Sequence, residues 1–582
     1  MKGWSGRRLC IDLSLQKAWT EEIPIDDLVL CLGGRGLNAN YFLKNISEFT
    51  EGSSSQNPIS LSVGPLSGTI APCSGWTSIA VFSVSMAPRY AQVSMPGHWG
   101  PQLKFCGFDQ LIIQGKSEKP IYVAVDGEKV RFKNGRPLWG KNIAETVAKI
   151  QEEAGRNTEV LSIGPAGERL VRFANVTNGL SWTADHIGLG YTFGSKNLKA
   201  IAISGNKPVA IEQSDRFLRL CLMLRERIHR DQKSAQLGGA GSFFFLGQNG
   251  GGLGIKNYTE WSSIDLEERW RVEYLKEHLY GREGCFSCPI HCGRISQING
   301  GVFGGTHIES AWSVGPRIGI FDWAKTLKIL RICQMQGLDS SAVGSLVAWL
   351  MDCYEKGILS IGELGLAECP WGSEATVLSI IERIVEGKEG GEILRGGSLG
   401  AARALGKGLE LVPHFCGMDL PVRDPRSSAE YAHSRAFFPG EWDYLQSFIP
   451  GTPSSSSMPS GSGENKIVEK ISGLEKLRVL ADLNSLCPLV VARLPLITNF
   501  DVADLVLAAT GPFGDAEVLR AAVHQTMLAE KTLLGENRAG EPDPFPIRFF
   551  ENALERSHLR RRIKDYDPCN GPVFLLEEGM GR

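Results

Sequence analysis

The chain has 582 residues, of which 42% are hydrophobic and 22% charged, with a formal net charge of -2. That is enough apolar material for several cores, about three or four domains at roughly 150 residues each. The absence of a basic stripe argues against nucleic-acid binding, and the absence of an apolar run of about 18 residues argues against a membrane span.

The N-terminus, Met1 to Leu15, lacks the apolar core and cleavage site of a signal peptide. Without such a signal, the 14 cysteines are expected to be free thiols and ligands in a reducing cytoplasm, not a disulfide framework.

Residues 1 to about 205 read as β-rich. Short apolar runs at Ile59–Val63, Thr77–Val84, Leu111–Gln114 and Ile121–Val125 alternate with Gly, Pro and Ser. Pro120 to Phe132 predicts a hairpin with Asp126-Gly127 as its type I′ turn. After about residue 208 the apolar period becomes helical, with helices expected at Asp215–Arg230, Asp339–Tyr354, Thr376–Glu386, Val502–Ala509 and Glu517–Leu534. Gly238–Gly254 and the serine-rich Gly451–Asn465 are expected to be loops. Strands first and helices after predict an α+β fold: a β-sheet-rich domain over residues 1–207, then two mainly helical domains over 208–415 and 416–582.

The strongest chemical signal is Gly284-Cys285-Phe286-Ser287-Cys288-Pro289-Ile290-His291-Cys292-Gly293, a Cys-x2-Cys-x3-Cys run. Iron–sulfur clusters take four thiolates, often three local and one remote. Cys487 is the candidate for the fourth. The competing readings are buried structural cysteines and a zinc site. Structural zinc pairs two short Cys/His hairpins, and no second hairpin is visible. The spacing therefore favours iron–sulfur.

Further blocks give the chain a family. Gly33-Gly34-Arg35-Gly36-Leu37, Gly64-Pro65-Leu66-Ser67-Gly68-Thr69, Leu103 to Asp109, Gly115 to Pro120, Ile163 to Glu168 and Gly194 to Ala200 follow in order. Together with the cysteine motif they resemble the tungsten-dependent aldehyde:ferredoxin oxidoreductase family over nearly the whole chain. The resemblance implies a β-platform for a tungsten (or molybdenum) bis-pterin. It also implies helical domains covering that platform, a [4Fe–4S] cluster as electron exit, oxidation of aldehydes or related groups, and ferredoxin or another iron–sulfur protein as partner. A homodimer or a heteromeric redox complex fits the same picture.

The departures fall where such a family binds its pterin. An arginine follows the family's Pro-x-x-Gly segment, but here Pro72-Cys73-Ser74-Gly75 is followed by Trp76. The Asn-x-Gly-Gly stretch reads Ser94-Met95-Pro96-Gly97. Arg-Ala-Ala-Gly-Arg-Gly-Gly reads Trp182-Thr183-Ala184-Asp185-His186-Ile187-Gly188. Arginine grips phosphate with two bonds, so its loss bears directly on a phosphate-carrying cofactor. The first Asp-x-x-Gly-Leu-Asp motif keeps Gly337, Leu338 and Asp339; the second keeps Asp482, Leu486 and Cys487 but has Ser485 for glycine. Lys328 and Arg331 replace the Glu-x-x-His pair at the dimer interface. Glu309 matches the family's active-site glutamate, a candidate general acid or base. Tyr444 is the candidate to replace the missing proton-donating histidine. His98 and His186 fall in the implied groove. An alternative function follows from the losses: a non-catalytic paralogue without tungstopterin, acting as an electron-transfer or structural subunit.

Overall fold

The computed structural model describes residues 2–45, 54–85, 89–184, 186–246, 252–298, 300–415, 417–427, 431 and 462–534. Its N-terminal part is built on two six-stranded mixed sheets. The first comprises β1 (Arg7–Asp12), β2 (Lys17–Glu22), β3 (Ile59–Ser62), β4 (Thr77–Ser83), β5 (Arg89–Met95) and β6 (Gln110–Gln114), in the order β2-β1-β6-β3-β4-β5. The second comprises β7 (Ile121–Asp126), β8 (Lys129–Asn134), β9 (Glu159–Ser162), β10 (Val176–Asn178), β11 (Trp182–Ala184) and β12 (Leu198–Ser204), in the order β11-β10-β9-β12-β7-β8. β3 and β4 are buried at every residue; the serines of β3 are accommodated by the buried Asn38 side chain, which accepts from Ser60 and Ser62. Leu61, Ile79 and Leu111 of the first sheet share one apolar core with Val123, Leu161 and Ile201 of the second.

The predicted hairpin forms, but its turn lies one residue further on. Asp126 pairs with Lys129, so Gly127 and Glu128 are the central residues. Gly127 has φ +56° and Glu128 has no positive φ, the pattern of a type II′ turn. Glu128 then anchors Arg7 and Lys207 with its carboxylate.

Beyond residue 207 the described chain is mainly helical, so the α+β arrangement holds. The expected helices appear as Ser214–Arg230, Ser340–Glu355, Glu374–Glu386, Asn499–Thr510 and Ala516–Leu534. Ser340–Glu355 is buried nearly all round and forms the centre of the helical part. Ser214–Arg230 buries only Phe217, Cys221, Leu224 and Ile228, one stripe at helical spacing. Leu220 packs partly against the core and Arg225 reaches Ser287.

Two loop expectations are corrected. The stretch 238–246 continues a helix, Gln232–Ala240, into a tight turn, Gly241–Phe245, because Gly238 packs against the Ile290 carbonyl where a side chain would clash. Residues Ser462–Asn465 open the helix Ser462–Leu483 instead of closing a loop; residues 451–461 lie outside the described residues. No helix among the described residues is long and apolar enough to cross a membrane.

Candidate functional site

The cysteine motif sits on a small three-stranded sheet that the helical periodicity concealed. Strands Leu279–Glu283 and Gly293–Ile298 pair antiparallel, and the Glu283–Gly293 pairing closes the loop 284–292 that carries Cys285, Cys288 and Cys292. Ser287 and His291 adopt left-handed φ values of +58° and +53° and curl the loop. Cys487 arrives from the end of helix Ser462–Leu483. All four thiols are half-buried. Each of Cys285 and Cys487 lies within electrostatic reach of the other three or of two of them.

Backbone hydrogen bonds join this loop to the β-platform. Phe286 N–H donates to the Gly97 carbonyl at 3.1 Å, and Cys73 N–H to the Ser287 carbonyl at 3.0 Å. Cys487 N–H donates to the Cys73 carbonyl at 2.9 Å, and Trp76 N–H to the Ser485 carbonyl at 3.1 Å. The His98 ring meets the Gly284 carbonyl at 3.0 Å. From the helical side, Arg225 clips Ser287 Oγ at 2.5 Å and the Ile70 carbonyl at 3.2 Å.

Burial raises the Cys285, Cys292 and Cys487 thiols, Cys292 to about 12. Cys288 moves the other way, to about 7, because the Cys73 thiol donates to its sulfur and outweighs burial. Cys73 is the residue that sequence reasoning passed over. The segment Pro72 to Gly75 was read for its missing arginine, while a cysteine inside it was the available signal.

Beside the cysteine loop lies an open cleft. Trp76, Ser94, Trp182, Thr183 and His186 line it together with Cys292. Five residues singled out in the sequence therefore share one cavity with one of the cysteines. Leu237, Phe245, Arg294, Thr306 and His307 complete its wall and carried no sequence signal of that role. Trp182 reaches across the cleft: Cβ atoms at Gly97 and Gly293 would approach its ring to 2.9 and 2.7 Å. The buried indole N–H groups of Trp76 and Trp182 have no protein acceptor. Arg294 spends its guanidinium on the carbonyls of Gly238, His291 and Gly293.

His186 separates this cleft from a second cavity of about 630 Å³, lined by Asp339, Arg172, Arg403 and Asp419 among others. Asp339 is committed to protein partners. Its Oδ1 caps helix Ser340–Glu355 by accepting from Ser341 N–H at 2.8 Å and Ala342 N–H at 3.2 Å, and its Oδ2 accepts from His186. Burial alone would raise its carboxyl; the His186 ring, with the Ala342 and His186 backbone N–H groups, holds it low.

The remaining sequence candidates lie outside the cleft lining. Gly188 takes φ +68° at the start of a short helix and Leu338 packs in the core. Leu486 is fully buried, and Asp482 stands 3.5 Å from the buried Arg35, which also binds Glu475 and Glu530. Glu309 is fully buried on helix Ile308–Ser313. Its Oε1 accepts from Val422 N–H at 2.9 Å and Ser341 Oγ at 3.2 Å, while Oε2 has no hydrogen-bond partner. Burial raises it to about 7, partly opposed by His186. Tyr444 and Asp185 lie outside the described residues.

The sheets and the cysteine hairpin match two family models: the N-terminal domain of aldehyde ferredoxin oxidoreductase over residues 8–205, and its domains 2 and 3 over residues 220–568. The chain belongs to the aldehyde ferredoxin oxidoreductase family. It is 32% identical over 440 residues to a tungsten-containing aldehyde ferredoxin oxidoreductase of Pyrococcus furiosus, spanning 74% of this chain and 71% of that one. It is 27% identical over 472 residues to the WOR-like subunit of an aliphatic sulfonate oxidoreductase of the same organism, spanning 74% and 73%. The fold also matches the active-site complex BamBC of benzoyl coenzyme A reductase, solved with 1,5-dienoyl-CoA, with a TM-score of 0.84, 21% identity, and 96% and 93% of the two chains covered.

Proposed function

We propose that this chain is an iron–sulfur oxidoreductase that holds a [4Fe–4S] cluster on Cys285, Cys288, Cys292 and Cys487 and passes electrons between the adjacent cleft and a ferredoxin-like partner. The observation that carries this is Cys292, which lines the same cleft as Trp76, Ser94, Thr183 and His186. A cluster there borders the place where a substrate would bind. The donor set suits a cluster. Among the described residues no three Cys, His, Asp or Glu side chains converge closely enough for a single ion, which counts against zinc. Three local cysteines with one remote one are the ligand pattern that such a cluster takes.

The cleft combines the rings of Trp76 and Trp182 with the hydroxyl residues Ser94, Thr183 and Thr306 and the His307 ring, a lining suited to a substrate that is part apolar and part hydrogen-bonding. An aldehyde or another oxo group is such a substrate. Oxidising an aldehyde to a carboxylic acid consumes one water and releases two protons and two electrons. The cluster would pass those electrons singly, hence an iron–sulfur partner. His307, in the cleft wall, is the group placed to handle the protons.

The relatives' tungsten would come to this chain as a tungsten or molybdenum bis-pterin, and the residues present do not fit it. Among the described residues Arg294 is the one arginine or lysine lining the cleft, and backbone carbonyls occupy its two terminal nitrogens. Asp339 is taken by His186. These observations favour a second reading, a paralogue without tungstopterin that serves as an electron-transfer or structural subunit of a larger complex.

Elemental analysis with pterin detection on anaerobically purified protein tests both. Four irons and four sulfides per chain are expected, and their loss in Cys288→Ser. A parent chain without iron sinks the cluster. Tungsten or molybdenum with pterin overturns the second reading, and aldehyde oxidation by a chain lacking them overturns it too.

A further inference from the structure

We propose that Cys73 is a fifth sulfur of the cluster site, not a ligand but a positioning residue whose thiol donates a hydrogen bond to the sulfur of Cys288 and raises the cluster's reduction potential. This rests on the reading of Cys285, Cys288, Cys292 and Cys487 as the ligands.

The geometry is specific. Cys73 Sγ lies 3.8 Å from Cys288 Sγ, within S–H···S reach. Its side chain is buried, only 2% exposed. Two backbone bonds fix its place: its N–H donates to Ser287, inside the loop of three cysteines, and its carbonyl accepts from Cys487, the remote fourth. One residue thus ties both halves of the ligand set together and aims a thiol at one corner.

A cluster takes four thiolates. The motif and Cys487 supply them, so the fifth sulfur brings a proton instead of a bond to iron. Reduction adds negative charge to the cluster, and that charge spreads onto the ligand sulfurs. A donor at one of those sulfurs stabilises the reduced state more than the oxidised state. Hydrogen bonds to the sulfurs are among the factors that set such potentials. Cys73 is not among the residues that line the cleft, whereas Trp182 and Gly293 are.

The test is a reductive titration of the anaerobically purified full chain, followed by electron paramagnetic resonance and absorbance, with iron and sulfide counted for each variant. Parent, Cys73→Ala and Cys73→Ser should all carry a full cluster. Cys73→Ala should be reduced at a lower potential than the parent. Cys73→Ser keeps a donor and should lie close to the parent. An unchanged potential in a fully loaded Cys73→Ala overturns the hydrogen bond. Loss of iron from both variants makes Cys73 a ligand and overturns it as well. A parent without iron removes the underlying cluster reading, a result distinct from either.

Discussion

One carboxylate oxygen of Asp339 accepts from His186 twice, from the ring Nδ1 at 2.9 Å and from the backbone N–H at 3.0 Å. The pair is nearly buried, with side chains 10% and 3% exposed. Removing the ring leaves a buried carboxylate with one donor fewer, which costs about 1–3 kcal/mol. His186→Ala should lower the urea midpoint accordingly. His186→Asn keeps a donor and tolerates the φ of +71° at this position, so it should recover part of the loss.

Ser485 stands where the family has glycine, and its backbone keeps the left-handed φ of +60°. A non-glycine residue pays roughly 1–2 kcal/mol there. Its hydroxyl offsets this by accepting the buried Gly64 N–H at 2.8 Å. Ser485→Ala retains the strain and orphans the N–H, so it should destabilise by about 1–3 kcal/mol. Ser485→Gly orphans the same N–H but relieves the strain, and should fall about 1 kcal/mol short of the alanine loss. Denaturant titration of the three proteins ranks them; an alanine variant as stable as glycine would refute the strain argument.

Glu309 and His307 set opposite pH limits. Burial raises Glu309 from 4.5 to about 7, so its contribution to stability is full below about 4.5 and lost as pH rises through about 7. The loss is on the order of 3 kcal/mol for such a shift. Burial lowers His307 from 6.5 to about 4, so its contribution is present above about 6.5 and lost as pH falls through about 4. Glu309→Gln should flatten the decline between pH 4.5 and 7 while leaving the acid limb. Urea midpoints across pH 3.5–8 separate the two.

The sequence was most legible where local chemistry sufficed. β3, β4 and the helix Ser340–Glu355 announced themselves because every residue or nearly every residue is buried. The groove residues Trp76, Ser94, Trp182, Thr183 and His186 were reached through family blocks, and they line one cleft. What stayed hidden depended on long-range pairing. The hairpin carrying the cysteines has strands that alternate in burial, but their inward positions include Gly281, Glu283, Arg294 and Ser296, so the residues gave no apolar strand signal. Cys73 lies 215 positions from Cys288, and only the fold brings their sulfurs together. Asp339 kept its family identity in the sequence, yet its carboxylate is committed to His186, which no motif records.

At Gly75 the platform meets the cysteine loop at close quarters. A Cβ there would lie 2.5 Å from the Gly97 carbonyl oxygen and 2.8 Å from Phe286 N. Those two atoms form the hydrogen bond that seats the loop, at 3.1 Å. A methyl group would wedge into it, and both neighbours are backbone, so neither can swing aside. Overpacking of this kind costs about 1–3 kcal/mol. Gly75→Ala should therefore lower stability by that amount and, with the loop displaced, lower iron content after anaerobic purification. Gly473 is the control: it lies inside helix Ser462–Leu483, and a Cβ there meets nothing within 4 Å. Gly473→Ala should instead stabilise by about 0.5–1 kcal/mol and leave the iron content alone. Equal behaviour of the two variants would show that the loop is seated by something other than the Gly75 contact.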